Sequence, residues 1–420
     1  MTISKILNAM KEGNNIESQR IAGYTWKELL GQYDNYLFDD YLPFIDKHVF
    51  DHEYGGFMCN TDRVGQNITT DKRTWYDGRG IWAYSFLYNN IKKDPEYLRI
   101  AQKTVELVLR AKQPESFFWP WSYNRTGADL SENTPDIYGN LFVAEGFAEY
   151  SIASEDSSFW DRAKEILLQC VEVYNQEDYL YKLEYSPIPT FTHAERVLGH
   201  WMIMLRLSTN LLRIKNDSKI EGVASQCIDA LINYHYNPEF KLMNEVLNHD
   251  LTLGEGDISQ FVYIGHAIES LWMIMDEALR RDDEELLILA AERFKFHVEV
   301  AWDDVYGGVF HGLDHVNENK WLTDKVLWAQ QEVLVGLMIL IEHSDDPWAY
   351  TWFDKMYNYV INTYPLKKYG YSLWNIGGDR KMNFKEKGIR IENFHHPRHL
   401  MLNKLKIEKI VSKLNLNKQI

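Results

Sequence analysis

Three of the chain's fourteen histidines fall within five residues of one stretch, Glu392-Asn-Phe-His-His-Pro-Arg-His-Leu400, with Arg398 among them. An imidazole titrates near neutral pH and can take or give a proton at a reacting carbon or oxygen. Pro397 has a fixed φ and no N–H, which suits the first turn of a helix and pushes His396 towards extended backbone. The stretch therefore reads as a loop ending at His396, then a helix through Arg398 and Leu400, with His395 and His396 at its mouth. Two other readings stay open at this point. The histidines can be ordinary polar loop residues, or His395 and His399, four apart, can form a zinc pair. The second lacks the acidic residue of an H-E-x-x-H motif and has no cysteine nearby.

The elements that would position such a group repeat along the chain. Asp51-His-Glu-Tyr-Gly-Gly56 is echoed 252 residues later by Asp303-Asp-Val-Tyr-Gly-Gly308. Asp71-Lys-Arg-Thr-Trp75 is echoed by Asp324-Lys-Val-Leu-Trp328. D-x-x-Y-G-G reads as a turn whose glycines take positive φ. Weaker copies fill the interval. Apolar helical runs open near Trp75, Tyr138, His200, His266, Trp328 and His395, in steps of 62–67 residues. Between them lie amphipathic runs near 97–112, 157–174, 220–234 and 284–300, with a first one near 26–50. A helix apolar on all sides is buried and one with a polar face lies outside. Each unit is thus one inner and one outer helix. Six units, with no polar capping repeat at either end, predict an all-α, closed (α/α)6 barrel rather than an open solenoid. No Pro- or Gly-rich linker divides the chain, so 1–420 reads as a single domain with its core at about 20–408. The Lys- and Asn-rich tail beyond is expected to fray.

Composition bounds the partners. Of 420 residues 45% are hydrophobic, enough for a large core, and 14% are aromatic, which suits stacking on sugar rings as well as packing. Lysine and arginine number 45 against 61 acidic residues, a formal charge of −16 that would repel nucleic acid and anionic membranes. Cys59, Cys170 and Cys227 are too few and too scattered for a disulfide framework or a zinc ribbon. The N-terminus has no apolar signal region, and no run approaches the roughly 20 apolar residues of a membrane span. A cytoplasmic protein is expected. A homodimer is the assembly to test.

The six inner helix starts should open on one end of the barrel. They carry Trp75 to Arg79, Asp136-Ile-Tyr138-Gly-Asn140, Glu195 to His200, Gly265-His266-Ala-Ile-Glu269, Trp328-Ala-Gln330-Gln-Glu332, and Phe394 to Arg398. Arg79 and Glu332 hold the same position in their repeats. Histidine at three of six starts is hard to ascribe to core packing. His266 and Glu269, three apart, share a helix face, so the carboxylate can orient the imidazole. Trp75, Trp119, Trp121, Trp328 and Trp374 lie at predicted inner-end loops or helix starts and are candidate sugar platforms.

These motifs resemble the N-acylglucosamine 2-epimerase superfamily. Gly265-His266-Ala-Ile-Glu269-Ser-Leu-Trp272 is similar to its G-H-x-x-E-x-x-W motif, and Phe394-His395-His396-Pro397-Arg398 to the F-H-V-P-R ending of the N-acylglucosamine 2-epimerases proper. Asp77-Gly78-Arg79-Gly80-Ile81-Trp82, Asp136-Ile-Tyr138-Gly139 and Trp328-Ala-Gln330-Gln-Glu332 resemble the G-R-x-x-W, D-x-Y-G and W-x-[HQ]-x-E motifs, in the family's order. The chain carries Asn393 where the epimerase ending has Cys, and His396 where it has Val. The resemblance implies an (α/α)6 barrel that epimerises sugars at C2 or interconverts aldoses and ketoses. It implies His266 and His395 as the acid–base pair, Arg79 on the oxygen at C1 or C2, and Glu269 in support of His266. Trp75, Tyr138, Asn140, His200, Trp328, Gln330, Glu332 and Arg398 are the expected substrate contacts.

The residue types suit that chemistry. Two histidines give one base for each face of an enediolate, and a fixed cation stabilises its charge. No metal or other cofactor is expected, and with no P-loop no nucleotide dependence. Cellobiose 2-epimerase and aldose–ketose isomerase are alternatives using the same site. More remote ones are a glycoside hydrolase, with a carboxylate pair drawn from Asp77, Asp136, Glu269 and Glu332, and a non-catalytic sugar-binding module.

Overall fold

A computed structural model describes residues 20–416, apart from 63–64, 129–136, 184, 186, 188–189, 345, 367–371, 375 and 384–390. Helix α1 (Trp26–Asp34) passes through a π-helical stretch, Asn35–Tyr41, into α2 (Leu42–His48). From there inner and outer helices alternate: α3 (Thr74–Phe86), α4 (Pro95–Ala111), α5 (Ile137–Ala153), α6 (Ser158–Tyr174), α7 (Leu198–Ile214), α8 (Ser218–Asp229), α9 (Ile264–Arg281), α10 (Glu284–Ala301), α11 (Leu327–His343), α12 (Pro347–Thr363) and α13 (His395–Leu416). The odd-numbered helices from α3 to α13 are the inner ones. Almost every residue of α5, α9 and α11 is buried, whereas α4, α6 and α8 bury one stripe.

The ring closes between the two ends of the chain. Each inner helix packs on the outer helix that follows it, and the last, α13, packs on α1. There Tyr33 bonds His399 Nε2 at 3.1 Å and accepts from Asn403 at 3.1 Å. On the inner ring, Phe394 sits edge-on to Trp82 of α3, and Asn393 donates to the Tyr76 carbonyl at 2.8 Å. This is the expected (α/α)6 barrel. The tail departs from expectation: α13 continues to Leu416 instead of fraying from 408. Ile407 is fully buried, Val411 and Leu414 pack on the core, and Lys406 reaches Glu342 at 3.0 Å.

The repeated turn is built twice on the same plan. In the first copy Asp51 is buried and bonded by Lys72 (2.9 Å) and Arg125 (2.8 Å); in the second, Asp303 by Lys325 (2.7 Å) and Arg380 (2.8 Å). Both aspartates are held below the usual carboxylate range, because these cations more than offset the cost of burial. The glycine pairs Gly55–Gly56 and Gly307–Gly308 all have positive φ, as the motif requires. A second device ties each incoming loop to its inner helix. Asp77, Asn140 and Gln330 accept the backbone N–H of Phe57, Trp119 and Val309 at 2.7–2.9 Å.

The helix starts differ by layer. The outer-layer helices α1, α4, α8, α10 and α12 begin on capping side chains, Thr25, Asp94, Asp217, Asp283 and Asp346, whereas Ser157 before α6 makes no cap bond. The inner helices α3, α7, α9 and α11 begin directly from extended residues with no side-chain cap. Their first-turn N–H groups, the positive end of each helix dipole, thus gather at one end of the barrel. Cys59, Cys170 and Cys227 are all buried. No helix among the described residues is long and apolar enough to cross a membrane.

Candidate active site

His266 and His395 stand at the starts of α9 and α13 and flank one indole. The ring of Trp328, from the start of α11, lies 5.8 Å from His266 and 5.2 Å from His395. Gly265 makes room for it: a Cβ there would meet the indole at 2.2 Å. Each imidazole gives its Nδ1 to a buried carboxylate, His266 to Glu245 at 2.9 Å and His395 to Glu332 at 2.9 Å. The Nε2 atoms have no protein partner among the described residues and are the nitrogens available to a substrate. Burial pushes His395 down to about 3, against the pull of Glu269, so it is neutral at working pH and ready to accept a proton.

The carboxylate on His266 corrects the sequence expectation. Glu269 was expected to hold His266; Glu245 does so, and Tyr185 donates to the same Glu245 oxygen at 2.7 Å. Glu269 turns the other way. Three residues separate it from His266 on the helix, but the Arg398 guanidinium captures it at 2.5 Å and leaves it 3.9 Å from His395. Glu245 lies in an irregular segment between short strands, outside any helical period. Its one sequence signal is a lone acid inside an apolar run, Leu242-Met243-Asn-Glu245-Val246-Leu247.

Arg398 spans Glu269 and Glu332, at 2.5 and 2.7 Å, and Trp272 Nε1 donates to Glu332 at 2.6 Å. Glu269, Glu332 and His395 bring donor atoms within 4.8 Å of one another, a spacing that suits a metal. The guanidinium already supplies the positive charge between the two carboxylates, so a metal would have to displace it. Arg398 is therefore the organiser of the His395 side.

Arg79 is held by rings rather than by charge. Its guanidinium lies 4.0 Å from the Phe142 ring, 4.8 Å from Trp75 and 4.9 Å from Phe394, with Glu392 at 3.7 Å and Nε unbonded. Such a cation keeps donors free for an oxyanion. His200 stacks on Tyr174 (5.1 Å), meets Tyr138 at 5.8 Å and contacts the Tyr179 hydroxyl at 3.2 Å; burial lowers it to about 3. Burial raises the Tyr138 hydroxyl to about 12.

The structure brings His266, His395, Trp328, Glu332, Arg398 and Glu269 together, with Arg79 and Trp75 joined through Phe394 and His200 through Tyr138. Asn140 and Gln330 are not free for a substrate: both side chains bond loop backbone, as described above. Trp119 and Trp374 are core, and Trp121 is exposed at the surface with the Arg73 guanidinium 4.4 Å from its ring. Asp136 lies outside the described residues. His396 and His399 point away from the site, onto Trp374 and Tyr33, so His395 and His399 form no metal pair. The helix start is also two residues earlier than expected, at His395, with the Phe394 carbonyl accepting from Arg398 at 2.8 Å.

The family model of N-acylglucosamine 2-epimerase (GlcNAc 2-epimerase) matches residues 55–394, most of the chain. The chain belongs to the N-acylglucosamine 2-epimerase family. It is 23% identical over 393 residues to N-acylglucosamine 2-epimerase of Bos taurus, covering 90% of each chain. It is 26% identical over 346 residues to cellobiose 2-epimerase of Dictyoglomus turgidum, covering 76% of this chain and 82% of that one. The solved structure of cellobiose 2-epimerase from Bacillus thermoamylovorans superposes with a TM-score of 0.79 at 18% identity, covering 90% of this chain and all of that one. The family makes the protein a carbohydrate epimerase.

Family membership directs attention to the histidine end of the barrel. A cavity of about 470 Å³ opens at the opposite end, among the carboxy-terminal halves of the inner helices, lined by Trp82, Arg206, Trp272, Asp276 and Lys406. Its arginines, Arg206 and Arg213, are both already paired with Asp276, at 3.2 and 2.8 Å, and no histidine lines it. The two departures from the family ending are also clear of the chemistry. Asn393 bonds the Tyr76 backbone, and His396 is wedged between Tyr41, Trp374 and Gln331.

Proposed function

We propose that the protein epimerises an aldose at C2, with N-acetylglucosamine and N-acetylmannosamine as the first pair to test, by moving a proton through an enediolate. The observation that carries the proposal is the pair of carboxylate-held imidazoles, His266 and His395, on either side of Trp328. In the open-chain sugar the hydrogen at C2 is acidified by the C1 carbonyl. A neutral imidazole Nε2 removes it from one face, and the electron pair delocalises on to O1. Arg79, with its Nε uncommitted, faces the developing charge, and the uncapped helix starts add to the positive potential. The second imidazole enters the step as the imidazolium, returns its Nε2 proton to the opposite face of C2 and is left neutral. Glu245 and Glu332 fix which ring nitrogen carries the proton and hold the imidazolium with which one ring begins the reaction and the other ends it.

A carboxylate-pair hydrolase is disfavoured by the same geometry. Glu269 and Glu332 are tied up by Arg398, and Asp77 by the Phe57 N–H and Tyr123. The proposed setting is the cytoplasm, with a small-molecule sugar as partner, no nucleic acid or membrane partner and no cofactor; a homodimer is testable by sedimentation. The deciding experiment is NMR of the purified protein with free and N-acetylated aldoses and with cellobiose. The proposal predicts a new anomeric pair belonging to the C2 epimer. Appearance of a ketose alone would make the protein an isomerase, and no change with any sugar that binds would make it a binding module.

A further inference from the structure

A three-residue chain of hydrogen bonds leads from the site to solvent, and the proton transfers at C2 leave it unused. Tyr263 is the residue from which α9 starts, three before His266, and its ring stands edge-on to that imidazole at 4.5 Å. It is stacked on Tyr185 at 4.7 Å and lies 5.9 Å from Trp328, so it belongs to the wall of the same site. Its hydroxyl meets His311 Nε2 at 2.6 Å, and His311 Nδ1 meets Asp324 Oδ2 at 2.8 Å. Exposure rises along the chain: Tyr263 is 7% exposed, the His311 side chain 17% and the Asp324 side chain 49%. With Nδ1–H donating to Asp324, Nε2 of His311 is the lone-pair nitrogen and accepts from Tyr263.

Resting on the epimerase reading above, we propose that Tyr263, backed by His311 and Asp324, is the acid–base group that opens and closes the sugar ring. Epimerisation at C2 needs the open aldehyde, whereas aldoses in water are almost wholly cyclic, so a site that takes cyclic sugar must first open it. In this step the O1–H proton passes to the Tyr263 oxygen while the hydroxyl's own proton moves to His311 Nε2. The O1–H electron pair becomes the second bond of C1=O1. The C1–O5 bond breaks with its pair on O5, which takes a proton from water. The imidazolium, held by Asp324, then loses its extra proton to solvent, so the step is proton-neutral overall. Burial holds the Tyr263 hydroxyl well above its ordinary range, which favours relaying a proton over standing as a tyrosinate.

The test separates ring opening from chemistry at C2. Exchange between the α and β anomers of the substrate is followed by NMR magnetisation transfer, alongside epimerisation, for wild type, Tyr263→Phe, His311→Asn and Asp324→Asn. Wild type should speed anomer exchange above the buffer rate. Tyr263→Phe and His311→Asn should each bring that exchange down at least 10-fold and lower kcat for epimerisation in step, with KM little changed. Asp324→Asn should act in the same direction and more weakly; its half-exposed side chain makes it the variant least able to disturb folding. A wild type that epimerises without accelerating anomer exchange would overturn the relay alone, as would folded variants with unchanged anomer exchange. A wild type with no epimerase activity on any sugar would instead remove the reading on which the relay rests.

Discussion

Glu245 is the residue on which the His266 side of the site turns. It is fully buried, accepts from Tyr185 and fixes the His266 tautomer. Glu245→Gln keeps the shape but loses the charge that holds an imidazolium, so kcat should fall by about 100-fold while KM changes little. Glu269→Gln should act through Arg398 and His395, leaving the Nδ1 hydrogen bond of His266 to Glu245 unchanged when its imidazole N–H signal is followed by NMR. Equal effects of both substitutions on His266 would contradict the assignment. The sequence made His266, His395 and Arg79 legible because each sits at a helix start with a regular spacing. It could not show Glu245, because a strand-flanking carboxylate follows no period. Nor could it show that Asn140 and Gln330 spend their side chains on loop backbone, because a buried amide and a substrate-binding amide look alike in a string of letters.

At the scale of elements, inner and outer layers were readable from the contrast between wholly apolar and half-polar helices, and the D-x-x-Y-G-G turns from their glycines. The cross-links of those turns were not: Arg125 and Arg380 arrive from distant loops. In each copy an aspartate and a lysine side chain are fully buried together. Lys72→Met would leave Asp51 with the half-exposed Arg125 as its one remaining cation, and Lys325→Met would do the same to Asp303 with Arg380. Each substitution should cost about 3 kcal/mol in urea denaturation. The two sites share no partner, so the double variant should show the sum of the single effects. A loss below 1 kcal/mol in both variants would mean that the arginines alone hold the turns.

At the scale of the whole molecule, acid stability follows from the histidines that the barrel buries. Burial lowers His200, His395 and His399 to about 3, and His235 and His297 to about 4, from an ordinary 6.5. Below pH 6.5 the unfolded chain therefore binds protons that the folded chain refuses. Stability is full above that pH and drains away as pH falls from 6.5 towards 3–4. Asp77, raised to about 6 by burial, and Glu145 and Glu149, also raised by burial, work in the opposite sense, but they are three groups against five. Each such histidine costs about 2 kcal/mol by pH 5, so the melting temperature should drop by roughly 10 °C or more between pH 7.5 and pH 5. A melting temperature that is flat over that range would mean these imidazoles are hydrated in the folded protein.

Turnover in D₂O is the most direct test of the two-histidine mechanism. A proton removed from C2 by one imidazole and replaced by the other must come in part from solvent, so the epimer formed by wild type should carry deuterium at C2. His395→Asn should lose epimerisation by about 100-fold or more while keeping its helical circular dichroism, because the side chain lines the site beside Trp328. A product free of deuterium, or a His395→Asn protein with full activity, would contradict the mechanism and leave the family likeness as a statement about fold.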